Sequence, residues 1–430
     1  MIGFNPIEYS SLSDVGIRRS HNQDAHAVIL AKSEDRWRTE GHIFVVADGM
    51  GGHAVGEKAS QKAAGDIPMT YLKYAHEDVA GALRRAFVET NSAIYAIGQN
   101  NKEFQGMGTT STALVLRPEG AWIAHVGDSR VYRVRGGQIE QLTFDHSYVW
   151  EMARRQNILP EEVQGIKANV IVRSLGPDSL VQVDVEGPHP LEAGDTFVLC
   201  SDGLSGPVSD SEIGAVAGVL PPEEACQFLV QLANLRGGPD NITVQVVRIG
   251  RPQAGDGKRL SLRNALRDAH WSIYVLALGV ILTMVAILTA LVEHRLGLLL
   301  FLFSGISCVL GLIGLTLHAR SMQKKKERAG SNADLTIYRS SPCDIDRTVV
   351  EKLARGNEDL REKVNASFPQ LVPASFASHQ ALGEKWLKAG DLEEAFREHC
   401  RAMNELAKSY NKIRTKSEMF QPVWEKKKKT

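Results

Sequence analysis

No two of the five cysteines, Cys200, Cys226, Cys308, Cys343 and Cys400, stand as a C-x-x-C pair, and Cys308 lies inside an apolar run. Neither a disulfide framework nor a zinc-thiolate site is therefore expected, and a reducing compartment is the simpler reading. The chain also lacks an excess of either charge, since Lys plus Arg and Asp plus Glu both number 50. That balance argues against nucleic acid as a partner, which calls for a basic excess or a basic face. Residues Met1–Ser10 lack a basic segment followed by an apolar stretch, so no cleavable signal peptide is expected. Hydrophobic content, 43%, is ordinary, and 430 residues suffice for two or three domains.

Residues 1 to about 250 alternate short β-rich runs with longer helical patterns. Ile43–Ala47, Trp122–Val126, Thr196–Cys200 and Ile242–Val247 are apolar and bounded by Gly or Asp, as strands are. Ala82–Ile97 and Pro222–Leu235 repeat apolar residues at helical spacing. Trp122–Val126 and the run VYRV, joined by GDSR, read as a hairpin with Gly127 and Asp128 at its turn. Hairpins favour antiparallel sheets with helices packed outside them, an α+β class.

A polar linker and basic segment occupy 251–270. Two uncharged apolar runs follow, 271–292 and 296–317, within a unit spanning 271–318. Each is long enough to cross a bilayer as a helix, and the Glu293-His294-Arg295 gap makes them a transmembrane hairpin. Lys258, Arg259, Arg263 and Arg267 precede it, and Arg320, Lys324, Lys325, Lys326 and Arg328 follow. The positive-inside rule then puts both ends on the cytoplasmic side, with lipid as a partner: a multi-pass protein of the inner membrane. Residues 319–430 read as a charged helical tail, with one tetratricopeptide-like helix pair at 381–403. A single such unit cannot bury its own apolar face, so it is expected to pack on a neighbouring helix or to dock another protein.

The chemistry is carried by aspartates at the ends of these strands. Asp48 follows IFVVA, Asp202 follows TFVLC, Asp128 lies in GDSR, Asp240 precedes ITVQVV, and Asp24 lies in RRSHNQDA. One Asp-Gly at a strand end is ordinarily a turn. Five carboxylates whose strand ends meet at one edge would make an oxygen-rich pocket for hard divalent cations. Two adjacent cations can acidify a shared water and neutralise phosphate oxygens during in-line attack. Glycines beside the carboxylates, Gly49 among them, permit close backbone approach, and Arg19 could grip a phosphate.

The segments RRSHNQDA, VADGMGGH, GMGTTSTA, VGDSRVYR, LTFDHS, SDGLSG and GGPDNITV, in this order, resemble the bacterial type 2C (PPM) protein phosphatase family over about residues 8–249. The resemblance implies a central antiparallel β-sandwich flanked by helices, and a dinuclear Mn2+ or Mg2+ centre with a third, weaker ion. It implies hydrolysis of phosphoserine and phosphothreonine in proteins by a metal-activated water, the substrates being products of a serine/threonine kinase. Asp48 resembles the carboxylate bridging the two metals, the Gly49 carbonyl a further ligand, and Asp202 and Asp240 ligands of one metal. Asp128 resembles the third-metal ligand, Asp24 the carboxylate holding metal-bound water, and Arg19 the phosphate-binding arginine. His53 is the candidate general acid, although animal members carry their histidine directly after Asp-Gly, where Met50 stands here.

Residues 146–176 resemble the family's flap, which lies beside the site and affects substrate choice. They depart from it at Gln164–Asn169, which lack a His-Pro, and at Gln156-Asn157, which replace a glycine. A dinucleotide reading of Gly49–Ala54 fails for want of an acidic residue on a following strand. A cysteine-based phosphatase fails because no cysteine has an arginine six residues later. Loss of a metal carboxylate would mark a non-catalytic binding module, and all five are present.

Overall fold

The computed structural model describes residues 7–51, 54–165, 170–250, 271–290, 295, 298, 300–310, 312, 314, 316, 337–367 and 369–419. They form two units, one from the N-terminal 252 residues together with 335–430, the other from 253–334.

In the first unit, two antiparallel sheets face each other. One runs β1 (Ile7–Asp14), β11 (Ile242–Ile249), β10 (Thr196–Cys200), β7 (Arg130–Arg135), β8 (Gln138–Gln141) and β12 (Arg339–Pro342). The other runs β2 (Asp24–Ile29), β3 (His42–Met50), β5 (Ser111–Arg117), β6 (Gly120–Val126) and β9 (Asp184–His189), with the two-residue β4 (Gly108–Thr109) on β3. Period-two geometry explains why the strands read as unbroken apolar runs: both faces are buried. On β3, Phe44 and Val46 point between the sheets, where they meet Phe197, Leu199 and Val247. Ile43, Val45 and Ala47 point outward beneath α2 (Ala54–Tyr74) and α3 (Val79–Asn100). On the other sheet, Val198, Cys200, Val244 and Val246 point outward beneath α6 (Asp210–Val219) and α7 (Pro222–Leu235). The α+β sandwich expected from the sequence is thus present.

The expected hairpin is not. β6 and β7 belong to different sheets; β6 pairs with β5 and β9, and β7 with β8 and β10. The GDSR turn carries the chain from one sheet to the other, with Gly127 at φ 118°. Asp128 therefore sits where the sheets' edges meet instead of at the tip of a hairpin.

The segment expected as a separate tail returns to this unit. β12 extends the sheet from β8, with Arg339 opposite Gln141. The helices Arg347–Ser367, Ala374–Ala389 and Leu392–Met419 follow. Gly390, at φ 85°, ends the second of these, and the Gly390–Asp391 turn leads into the third. The third helix lies along α7: Arg401 makes a paired contact with Glu224 at 2.8 and 2.9 Å, and Asn411 donates to Gln231 at 2.7 Å. Val350, Ala395, Phe396, Cys400 and Met403 join Phe228, Leu229 and Val216 in one apolar cluster. Over these residues, the face expected to dock a partner is an intramolecular contact.

The second unit contains the helix Trp271–Ala290 and helical residues between 295 and 316. The two packed segments meet at small residues. A side chain at Gly279 would stand 2.6 Å from Cys308 Sγ, Ser304 Oγ donates to the Gly279 carbonyl at 3.0 Å, and Thr283 pairs with Ser304. Among the described residues no helix is long and apolar enough to cross a membrane. The second apolar run, 296–317, is described only in part.

Candidate metal centre

The site forms at one edge of the sandwich, and local packing makes it. Asp24 and Asp48 are opposed across the β2–β3 pair. Beyond Asp48 the chain passes so close to α2 that a Cβ at Gly49 would lie 2.2 Å from the Gly56 carbonyl oxygen. Only glycine permits that approach, which fixes the Asp48-Gly49 peptide against the helix. Gly203, just beyond the end of β10 in the facing sheet, plays the same part: a Cβ there would lie 1.9 Å from the Asn241 carbonyl oxygen. That contact brings Asp202, at the start of α5 (Asp202–Ser205), toward Asp240 in the turn before β11.

Hydrogen bonds hold the surrounding loops. Asn241 Nδ2 donates to the carbonyls of Val15 and His21 at 2.8 and 2.9 Å, and its Oδ1 accepts from Gln23 N–H at 2.8 Å. Asn241 thereby fixes the loop that carries Arg19. The Arg19 Nη2 donates to Asp240 Oδ2 at 2.6 Å across the exposed rim. Ser201 Oγ donates to Asp24 Oδ2 at 2.7 Å, and Asp48 N–H donates to Thr110 Oγ1 at 3.0 Å.

Electrostatics ties the carboxylates together. Burial, reinforced by Asp202 and Asp240, pushes Asp24 up to about 7 despite the Ser201 hydroxyl. Burial and the charges of Asp24, Asp202, Asp128 and Asp240 hold Asp48 well above the usual carboxylate range. Asp128 is pushed to about 8 by burial, then by Asp202 and Asp145, and Asp202 is raised by burial and by Asp240. Asp24, Asp128 and Asp202 each keep one buried carboxylate oxygen with no hydrogen-bond partner. Buried acceptors left unpaired cost free energy, and a cation would satisfy them. Among the described residues, no three His, Cys, Asp or Glu side chains stand as a ready-made metal cage. A hard ion such as Mg2+ does not need one, since it is held by one or two carboxylates and keeps several waters. The donor set, all oxygen and acidic, fits Mn2+ or Mg2+.

A cavity of about 550 Å³ opens on this edge, lined by Asp128, Asp202, Asp240, Arg130, Trp150 and Glu161, among others. Its far wall is the flap. Ser147 caps the flap helix α4 (Tyr148–Gln156), and the 3-10 turn Pro160–Glu162 follows. His146 anchors the flap's root, accepting from Gly127 N–H at Nδ1 (3.0 Å) and contacting Asp184 through Nε2 (3.0 Å).

The structure thus brings together Asp24, Asp48, Asp128, Asp202 and Asp240, with Arg19 at the rim. His53 lies outside the described residues, as does most of Gln164–Asn169. Sequence reasoning missed Asn241, Ser201, Arg130 and Asp145. The Arg130 guanidinium clasps Asp145, with Nε at 3.1 and 3.0 Å and Nη2 at 2.7 Å, and both line the cavity. Each missed residue lay inside a segment already singled out: GGPDN, SDG, GDSR and LTFDHS.

Two facing antiparallel sheets under helices, with an acidic pocket at their shared edge, make a protein whose site suits hard divalent cations. The family model "Protein phosphatase 2C" matches residues 17–234, and the chain belongs to that family of metal-dependent serine/threonine protein phosphatases. The family's cofactor is Mn2+ or Mg2+. Protein phosphatase PhpP of Streptococcus pneumoniae is 37% identical over 256 residues, covering 58% of this chain and 100% of PhpP. Serine/threonine protein phosphatase PstP of Mycobacterium tuberculosis is 34% identical over 278 residues, covering 60% of this chain and 50% of PstP. Among solved structures, the S. agalactiae serine/threonine phosphatase matches with a TM-score of 0.51 at 35% identity, over 57% of this chain and 100% of that one. Stp1 from Staphylococcus aureus matches with a TM-score of 0.51 at 29% identity, over 58% and 98%.

Proposed function

We propose that this phosphatase binds its metals through Asp48, the Gly49 carbonyl, Asp202 and Asp240, with Asp128 serving a third ion. The observation that carries this reading is the group of buried carboxylate oxygens on Asp24, Asp128 and Asp202 that lack any hydrogen-bond partner. When bound, Mn2+ or Mg2+ supplies Lewis-acid polarisation of the phosphoryl oxygens and acidifies a water. Asp24, held by the Ser201 hydroxyl, orients water at the metals' edge. Arg19 turns its guanidinium from Asp240 to the phosphoryl group, a charge-assisted grip. His53 is the proposed proton donor to the leaving alkoxide. The substrates are phosphoserine and phosphothreonine in proteins modified by a serine/threonine kinase.

The test is manganese-dependent phosphate release from a phosphothreonine peptide by the full chain, with EDTA and Asp202→Asn as controls. Activity that survives both controls would refute this assignment of the site.

The second unit is proposed to anchor the chain in the cytoplasmic membrane, with the catalytic domain and C-terminus on the cytoplasmic side. The reading is supported by the large apolar side chains it exposes, among them Met284, Leu288, Leu298 and Phe303, each above 60%. It is also supported by the small-residue contact of Gly279 with Cys308, the kind of packing bilayer helices use. Release of the chain from membranes by alkaline carbonate would contradict it.

A further inference from the structure

The returning segment reaches the metal centre's wall from outside. Tyr338 N–H donates to the Gln141 carbonyl at 3.0 Å, and Arg339–Pro342 add β12 to the sheet edge. The Tyr338 ring meets Phe144 edge-on, with centroids 5.6 Å apart, and its hydroxyl donates to Glu186. Arg339 then divides its guanidinium: Nη1 meets Glu161 at 2.6 Å, and Nε meets Asp210 at 3.2 Å.

Both partners lead to the site. Glu161 sits in the flap's 3-10 turn and lines the carboxylate cavity. Asp210 accepts from the Tyr132 hydroxyl at 2.9 Å and stands 3.5 Å from Arg130, the residue that clasps Asp145. A second cavity of about 440 Å³ is lined by Tyr338, Arg339, Phe144 and Arg154, and it shares Trp150 and Pro160 with the carboxylate cavity. The flap is therefore a thin wall with the catalytic pocket on one side and this strap on the other.

We propose that Arg339, steadied by Tyr338, is a positioning residue for the flap. It sets the wall on which the polypeptide around the phosphorylated residue lies, without touching the reacting atoms. The proposal rests on the phosphatase reading. The Arg339 and Glu161 side chains are 34% and 54% exposed, and so open an ion pair is weak and screened by salt. The strap therefore biases the flap without locking it, and the effect falls on binding of long substrates.

The test is steady-state kinetics of the full chain with manganese, on para-nitrophenyl phosphate and on a phosphothreonine peptide. Arg339→Ala is expected to raise the peptide KM about three- to tenfold, with kcat and small-ester kcat/KM changed by less than about twofold. Arg339→Lys, which keeps a charge, should recover part of the loss. Glu161→Gln should raise the peptide KM in the same way, and the double variant should be no worse than Arg339→Ala, which already removes the Glu161 contact together with that to Asp210. Should Arg339→Ala fail to fold, Glu161→Gln and Arg339→Lys carry the test. An unchanged peptide KM, or equal losses on both substrates, would overturn the role of the strap while leaving the phosphatase intact. A wild-type chain that hydrolyses neither substrate would overturn the phosphatase reading and this role with it.

Discussion

Asp24 on β2 lies directly across the antiparallel pair from Asp48 on β3. Burial raises both carboxyls, and the like charge of Asp24 across the pair raises Asp48 further. Under the proposed metal assignment, the sheet accepts this arrangement for chemistry and not for stability. Asp24→Asn should therefore raise the thermal midpoint of the chain in EDTA by a few degrees, about 1 kcal/mol. The same substitution should weaken manganese activation by about 10- to 100-fold, as loss of a group supporting a metal site does. Differential scanning calorimetry in EDTA and a manganese titration of activity check the two halves. A variant less stable than wild type in EDTA would show that the pair is not repulsive.

His189 sets an acid limit that is independent of the metal centre. It is fully buried, neither ring nitrogen has a hydrogen-bond partner, and burial, with the charge of Arg133, lowers its pKa from 6.5 to about 4. The unfolded chain, with His189 near 6.5, binds a proton that the folded chain refuses. Stability contributed by the neutral ring is whole above about 6.5 and is lost as pH falls toward 4. His125, lowered to about 3 chiefly by burial, acts in the same sense. Between pH 6.5 and pH 5 the His189 share of stability should thus fall by at most about 1.4 kcal/mol per pH unit, while the raised carboxyls of Asp24 and Asp128, which bind protons in the fold over that window, act in the opposite sense. The difference in urea midpoint between the wild type and His189→Leu should therefore change by about that share across the window; a difference that does not change with pH would mean that the ring is protonated in the fold.

The apolar runs and strand-end aspartates made the sandwich and its acidic edge legible, because two buried faces leave strands such as Ile43–Ala47 and Thr196–Cys200 no polar alternation. Pairing was less legible. Nothing local distinguishes a GDSR turn that closes a hairpin from one that crosses between sheets, so the local pattern pairs β6 with β7 although they lie in different sheets. Arg339 could not be found at all, since its partners Glu161 and Asp210 lie far away in sequence. Nor could the tail's place be found: amphipathic helices advertise an apolar face, but not which surface will cover it.

Asn157 illustrates a departure from the family pattern that physics absorbs. Gln156-Asn157 replace a glycine that the resemblance implies, and Asn157 adopts φ 54°, ψ 45°, closing α4 with its N–H on the Ala153 and Arg154 carbonyls. Asparagine is the side chain that best tolerates this left-handed cap. Asn157→Gly should be neutral or stabilising by a few tenths of a kcal/mol, whereas Asn157→Val should cost about 1–2 kcal/mol. Thermal midpoints of the two variants check the order, and equal midpoints would mean that the cap frays.

The catalytic domain and the returning helices share one core, so they should unfold together. Phe396 and Met403 from the last helix pack with Phe228 and Val216 beneath the catalytic sheet's helices. Phe396 is only 5% exposed, and its truncation removes buried area and leaves a cavity. Phe396→Ala should therefore destabilise the catalytic domain itself by about 3–5 kcal/mol, although it lies far outside the residues matched by the family model. Removal of residues 335–430 should go further, uncovering Phe228 and Leu232 and producing a chain that binds hydrophobic dyes and aggregates. Hydrogen exchange on β10 and β11 reports the coupling: protection there should fall in Phe396→Ala as it does across the last helix. If protection fell in the helix alone, the returning segment would be a separately folding unit, and its hold on the flap would have to come from β12 and Arg339 without the helices behind them.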